Sequence, residues 1–253
     1  MGSMAKLPTR FIYSSLKNDL NKKMVFIGGP RQVGKTTLAQ SLVHDQKESY
    51  LNWDNALDRN IILKLNWNKE VPLIIFDEIH KKKGWQNFIK GAWDKWKSVQ
   101  NYIVTGSAKL NIFRKGGDSL LGRYFYYRLH PYSLPELGYS SANLKLLFEF
   151  GGFPEPLLNK NKRDLNRWHL QRLSKLIQID LRDLEKINDI TKVEILADAL
   201  PNKVGSLLSY QSLCEDLDTS DNTVKKWIQA LENFYYFYLV LPYGSTKIKA
   251  TKK

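Results

Sequence analysis

Five short apolar runs divide the first half of the chain: MVFIG (24–28), SYLNW (49–53), PLIIFD (72–77), NYIVTG (101–106) and RYFYYRL (123–129). Each has the length of a strand, and the intervals between the first four, such as KTTLAQSLVHD and WQNFIKGAWDKWKSV, are long enough for a crossover helix. Strand and helix in alternation predict an α/β core, a parallel sheet sandwiched by helices. After HPYSLPEL (130–137) helical spacing takes over, from about Asn143 and through RDLNRWHLQRLSKLIQIDLRDLEKI (163–187). Pro135 and Gly138 interrupt the apolar pattern and put a boundary at 136–142. Near the C-terminus, SYQSLCEDL and TSDNTVKKWIQALENF read as two short helices turning at Asp218, with Thr219 or Ser220 capping the second. Leu213, Leu217, Val224, Trp227, Ile228, Leu231 and Phe234 give that pair a buried face. The aromatic run YYFYLVLPYG then fits a strand, so a winged helix-turn-helix is expected. The layout is therefore 1–4 as an expression scar and start, 5–140 as the core, 141–199 as a helical lid, 200–244 as winged-helix-like, and 245–253 as a basic tail that reads as frayed or cut short.

Composition narrows the class. The chain has 253 residues, 43% of them hydrophobic, ample for a buried core. Cys214 stands alone and the four histidines (44, 80, 130, 169) have no ligand spacing, which excludes an internal disulfide and a cysteine zinc site. No apolar run approaches the roughly 18 residues of a membrane span and no signal-peptide layout opens the chain. A cytoplasmic protein is expected, without membrane partners. The net charge of +14 favours a polyanionic partner, and residues 1–140 carry +11 of it.

The chemistry sits at GGPRQVGKTTLAQ (28–40), directly after the first run. Gly29, Gly34, Lys35 and Thr36 complete GxxxxGK[ST], the loop whose backbone N–H groups cradle phosphates between a strand and a helix. Gly29, Pro30, Arg31, Gln32, Val33, Gly34, Lys35, Thr36 and Thr37 are the candidate nucleotide contacts. Lys35 would reach the β and γ phosphates, and Thr36 would offer its hydroxyl to Mg²⁺. LIIF (73–76) would deliver Asp77 to the carboxyl edge of the sheet as the second magnesium-site group, and Glu78 beside it can polarise an attacking water. The run at Tyr50–Trp53 suggests that the sheet inserts a strand between the phosphate-loop strand and the Asp77 strand. Thr105 and Ser107, ending a neighbouring strand, are candidate phosphate sensors. Arg123, at a strand start, is a candidate cation for a neighbouring subunit's γ-phosphate.

These strings, together with YLNWD, LIIFDEIHK, YIVTGSAKL, GRYFYYRLHPYSLPEL, GGFPEPLL and TVKKWIQALENFYYFYLVLPY, resemble the prokaryotic AAA-type P-loop ATPases of the additional-strand, catalytic-glutamate branch that carry a helical and winged-helix region. The resemblance implies ATP/ADP with Mg²⁺ as ligands, Thr36 and Asp77 as the metal residues, Glu78 as water activator and an arginine finger at Arg123. It also implies Pro154, in GGFPEP, near the base, and an oligomer, with a ring as one form. Such proteins commonly continue into a nuclease-like domain, for which this chain shows no motif.

Other readings fit the residues less well. Asn161–Asp164 fits NKxD, a guanine-reading string, but no buried strand precedes it. A phosphotransferase would use the same loop, yet it must exclude activated water, which Glu78 opposes. The helix-turn-helix suggests DNA, but residues 200–244 hold Lys203, Lys225 and Lys226 against Glu215, Asp216, Asp218, Asp221 and Glu232, the wrong sign for gripping phosphates. Lys81, Lys82 and Lys83 with Trp85 are the better nucleic-acid candidates, as backbone cations beside a stacking ring. Two readings remain: an oligomeric motor or remodeller, with DNA the favoured client, and a nucleotide-gated switch acting on a protein.

Overall fold

The computed structural model describes residues 8–43, 50–106, 120–181, 187 and 189–241. The apolar runs become strands β1 (Met24–Gly28), β2 (Tyr50–Asn52), β3 (Leu73–Asp77), β4 (Asn101–Thr105) and β5 (Tyr124–Arg128). All pair in parallel, in the order β2-β3-β4-β1-β5. Side chains alternate between two covered faces, which is why the runs are continuously apolar. Val25, Ile27, Ile75 and Ile103 meet α1 (Tyr13–Leu20) and α2 (Lys35–Ser41) through Leu16, Leu20, Leu38 and Ala39. Phe26, Ile74, Phe76, Tyr102 and Val104 meet α3 (Ala56–Leu63) and α4 (Trp85–Trp96) through Ile62, Trp85, Ile89 and Trp93.

A strand is inserted between the phosphate-loop strand and the Asp77 strand, but it is β4 and not the run at Tyr50. β2 is a three-residue edge strand beyond β3, with Tyr50 and Asn52 half-buried. In β4, Tyr102, Ile103 and Val104 are fully buried, as a central strand requires. Order along the chain left the spatial order open, because a crossover can return to either side of the strand it leaves. The consequence is functional: β4 sets Thr105 level with Asp77 on one side and with Ile27 on the other.

Beyond the sheet the chain is helical: α5 (Leu134–Leu137), α6 (Ser141–Phe150), α7 (Pro154–Asn159), α8 (Lys162–Lys175) running into a π-helical stretch at Leu176–Leu181, then α9 (Ile190–Ala199), α10 (Tyr210–Leu217) and α11 (Asp221–Asn233). Leu176, Ile177, Leu196, Leu213, Val224, Trp227 and Leu231 form their common core. The expected turn is present: Asp218 takes a left-handed conformation (φ 45°), and the Ser220 hydroxyl accepts the Thr223 N–H at the head of α11. The expected strand is not formed over 235–241. Tyr235, Tyr236, Phe237 and Leu239 instead pack on the helical core, where the Tyr236 hydroxyl donates to the Ala197 carbonyl at 3.0 Å. Among the described residues no strand pairs with this segment, and the Tyr235 and Tyr236 N–H groups bond back to the Glu232 and Leu231 carbonyls of α11 instead. Residues 242–244 of that run lie outside the described residues.

The segment at 130–136 ties the core to both the N-terminal residues and the helical region. Arg10, buried, pairs with Glu136 at 3.3 Å and lies 3.8 Å from the centre of the Tyr132 ring. The Tyr132 N–H donates to Gly152 at 2.6 Å, and a side chain on Gly152 would strike the Tyr132 carbonyl. This fixes where GGFPEP turns, and therefore where Pro154 meets the phosphate loop.

Candidate functional site

The loop after β1 is shaped by close approach. A side chain at Gly28 would collide with the Tyr126 hydroxyl, and one at Gly29 with the Leu129 carbonyl. Gln32 (φ 61°) and Gly34 (φ 95°) take left-handed conformations, Gly34 as the N-cap of α2, and buried Val33 pins the loop to the core. Lys35 begins α2 and is buried, its ammonium donating to the carbonyls of Gly29 (3.0 Å) and Pro30 (2.7 Å) inside the loop.

Beside the loop stands Asp77, 4% exposed, which accepts from three hydroxyls. Thr36 donates to its Oδ2 at 2.8 Å, Tyr50 to the same oxygen at 2.7 Å, and Thr105 to Oδ1. Burial, and then the bond to Asp77, raise the Tyr50 pKa, so its hydroxyl stays a donor. Carboxylate and hydroxyl oxygens at the head of a phosphate-type loop are the hard donor set that Mg²⁺ takes. Thr105 therefore touches Asp77 and does not line the cavity; Ser107 lies outside the described residues.

Glu78 follows Asp77 in a left-handed conformation (φ 55°), its N–H held by the Thr105 carbonyl at 3.1 Å. Burial raises its pKa and Lys81 pulls it back; Asp77 adds to the rise, while Lys35 and Arg31 oppose it. The Lys81 ammonium lies 3.5 Å from Glu78 Oε2 and 2.5 Å from Asp54 Oδ2, and His80 Nε2 is 3.6 Å from the same glutamate oxygen.

These groups open into a cavity of about 500 Å³, a size typical of small-ligand sites. One wall is the loop, with Arg31, Lys35, Thr36 and Thr37; another holds Asp54, Glu78 and Lys81. The helical region closes the rest. Pro154 and Glu155 come from α7, Arg172 and Lys175 from α8, Leu176 from the π-helical stretch, and Phe234 from the end of α11. Pro154 lies 3.8 Å from where a Gly34 side chain would start. The Arg172 guanidinium rests 4.5 Å from the Phe153 ring centre; its Nε is buried without a hydrogen bond among the described residues, and burial lowers its pKa. A desolvated cation aimed into a cavity suits an anionic ligand.

Among the remaining candidates, Trp85 departs from its expected role. Trp85 is 5% exposed, tilted against Phe26 at 6.1 Å, and cannot stack on a base, since i, i+4 spacing with Ile89 turns it into the core. Lys81 points into the cavity. Lys82 lies over Phe88 at 5.1 Å, leaving Lys83 of that group on the surface. The Asn161–Asp164 string is a helix start: the Asn161 side chain accepts the N–H groups of Arg163 and Asp164. Arg123 stands at the amino edge of the sheet, where its carbonyl accepts the Met24 N–H, and its guanidinium grips Asp94 at 2.9 and 3.3 Å. Five strand residues, about 17 Å, separate that edge from its own phosphate loop. Tyr50, Asp54, Arg172, Lys175 and Phe234 were missed. Arg172 was one of several cations on a polar helix, and only its depth distinguishes it.

Residues 21–138 match the family model described as an AAA domain, and residues 141–253 one described as Domain of unknown function (DUF8612). An uncharacterized protein of Methanocaldococcus jannaschii is 24% identical over 308 residues, covering 96% of this chain and 63% of the relative. One of Mycobacterium tuberculosis is 23% identical over 210 residues, covering 82% and 47%. The chain thus spans less than two thirds of the length of these relatives. Among solved structures, AMPPCP-bound DnaA from Aquifex aeolicus aligns at a TM-score of 0.44 with 16% identity, over 88% of this chain and 87% of that one. The Aeropyrum pernix ORC1 protein in complex with DNA aligns at 0.44 with 12% identity, over 90% and 84%.

Proposed function

We propose that this chain, whose residues 21–138 match the AAA domain model and are followed by a helical region, is an AAA-type P-loop ATPase whose cavity binds ATP with Mg²⁺ and hydrolyses it. The observation that carries this reading is a cavity lined by Lys35 and Thr36 of the loop, by Glu78, and by Arg172 and Lys175 from the helical side, with buried Asp77 accepting from the Thr36 hydroxyl. Lys35 leaves the Gly29 and Pro30 carbonyls for phosphate oxygens, which form stronger charge-assisted bonds. Thr36 and Asp77 would hold the metal, which would supply screening of the phosphate charge. Thr105 and Tyr50 keep Asp77 oriented. Glu78 takes up a proton from water at the γ-phosphate, helped by a burial that brings its affinity for protons closer to neutral pH. Arg172 and Lys175 meet the phosphates from the helical side, so binding draws that region toward the core.

The geometry favours a nucleotide-gated switch. Phe234, at the end of the helix-turn-helix, lines the same cavity as Lys35, so the module is placed to move with the nucleotide. The motor reading, with DNA as client and subunits meeting through Arg123, rests on the +11 of residues 1–140. The test is binding of a fluorescent ATP analogue alongside phosphate release. Lys35→Ala is expected to lose binding at least tenfold, and Glu78→Gln to bind as the parent does while releasing no phosphate. Parental turnover in either variant removes the assignment, and a rise in turnover of several-fold on adding DNA would favour the motor over the switch.

A further inference from the structure

Lys81 is one ammonium between two carboxylates. The single 3-10 turn after Glu78 (Ile79–Lys81) brings it back toward that residue, with the Lys81 N–H on the Glu78 carbonyl at 3.1 Å. Its side chain then lies 3.5 Å from Glu78 Oε2, an oxygen buried without a hydrogen bond among the described residues, and 2.5 Å from Asp54 Oδ2. Asp54 is held in place by its own backbone: its N–H donates to the Asn52 side chain at 2.9 Å, and its carbonyl accepts from Arg59 at 3.4 Å. It belongs to the loop after edge strand β2 and its side chain is half exposed at the cavity mouth, whereas the Glu78 side chain is 22% exposed. A close bond to one carboxylate lengthens the bond to the other, since the ammonium lies between them. A Glu78 carboxylate occupied by Lys81 also has less lone-pair capacity for a water.

We propose that Lys81 is a two-position latch on Glu78, and that Asp54, by drawing the ammonium away, sets how much of Glu78 is open to the attacking water. This rests on the hydrolase reading above and adds its regulation. Lys81 is a positioning residue, acting through Glu78. Control enters at Asp54, because whatever takes that half-exposed carboxylate at the cavity mouth returns Lys81 to Glu78 and slows turnover without touching the phosphate loop.

The experiment compares the parent chain with Asp54→Asn, Lys81→Met, Lys81→Arg, Asp54→Asn/Lys81→Met and Asp54→Asn/Lys81→Arg, reading turnover, KM and the affinity for the fluorescent ATP analogue. Exposed pairs of this kind support effects of about two- to fivefold. Asp54→Asn should lower kcat by that factor with nucleotide affinity unchanged. Lys81→Met should turn over at or above the parent rate, and the Asp54→Asn loss should vanish in its background. Lys81→Arg, which keeps the charge, should retain the loss when combined with Asp54→Asn. An equal loss in both backgrounds, or a tenfold fall in nucleotide affinity for Lys81→Met, would overturn the latch; the latter would make Lys81 a phosphate contact. Where the parent chain binds nucleotide but releases no phosphate, the hydrolase reading fails and the latch is scored separately, by reductive methylation and mass spectrometry of the protein without nucleotide. Lys81 should then react more slowly than Lys83, and as fast in Asp54→Asn/Glu78→Gln; equal rates in the parent overturn it.

Discussion

At the residue scale, the site depends on places where only one side chain fits. Gly28 ends β1 against the Tyr126 ring, whose hydroxyl lies 3.4 Å from that of Tyr235 beyond α11. Gly28→Ala should therefore push Tyr126 off its seat and disturb the phosphate loop and the Tyr235 contact together. The expected cost is about 1–3 kcal/mol, the usual range for forcing a methyl group into a packed core. Chemical denaturation measures it, and a Tyr126→Leu partner substitution should recover part of the loss; a Gly28→Ala chain as stable as the parent would show the ring moves freely. Asp77 makes the same point through polarity. A carboxylate this buried needs its donors, and Thr36, Tyr50 and Thr105 supply one each from three elements.

At the element scale, helix starts explain strings that look like chemistry. Asn161 in NKRD accepts two backbone N–H groups at the head of α8, the helix that carries Arg172 to the cavity. Asn161→Ala should cost about 1 kcal/mol of stability, as lost caps do, and leave the preference between ATP and GTP unchanged. A thermal melt and a competition binding measurement check both halves, and a swing in nucleotide preference would return the string to a base-reading role. α11 carries the same lesson for the helix-turn-helix. Its Lys225 is paired with Asp221 one turn earlier, which reduces the charge available to a phosphate backbone.

At the scale of the whole molecule, charge and architecture point to different clients. The excess of +11 over residues 1–140 predicts salt-sensitive attachment to polyanions, with log affinity falling steeply as log salt rises. A mobility shift of duplex and single-stranded DNA at low ionic strength, lost near physiological salt, is the expected outcome, and Lys82→Glu/Lys83→Glu should weaken it more than Lys225→Glu/Lys226→Glu. No shift at any salt leaves the protein-directed switch. The architecture concentrates its contacts elsewhere: α7, α8 and the end of α11 all line the cavity, so the proposed nucleotide would be felt through the helical region whatever the client.

How much of this was legible in the chain follows from the range of the forces involved. Local ones were readable. The five apolar runs, the glycine-lysine-threonine loop, the acidic pair after LIIF and the cap at Ser220 depend on neighbours a few residues away, and each stands where the pattern put it. The crossover side was not local, so the inserted strand proved to be β4 rather than the run at Tyr50. Burial was not local either. Trp85 beside three lysines reads as a stacking platform, but Phe26, 59 residues earlier in the chain, covers it, and Arg172 reads as a surface cation, but the fold of α8 turns it inward. Chain chemistry by itself determined what the loop can hold. Only the tertiary structure decided which distant side chains gather around it, because the pairing of Lys81 with Asp54 and the burial of Arg172 depend on segments that meet through folding alone.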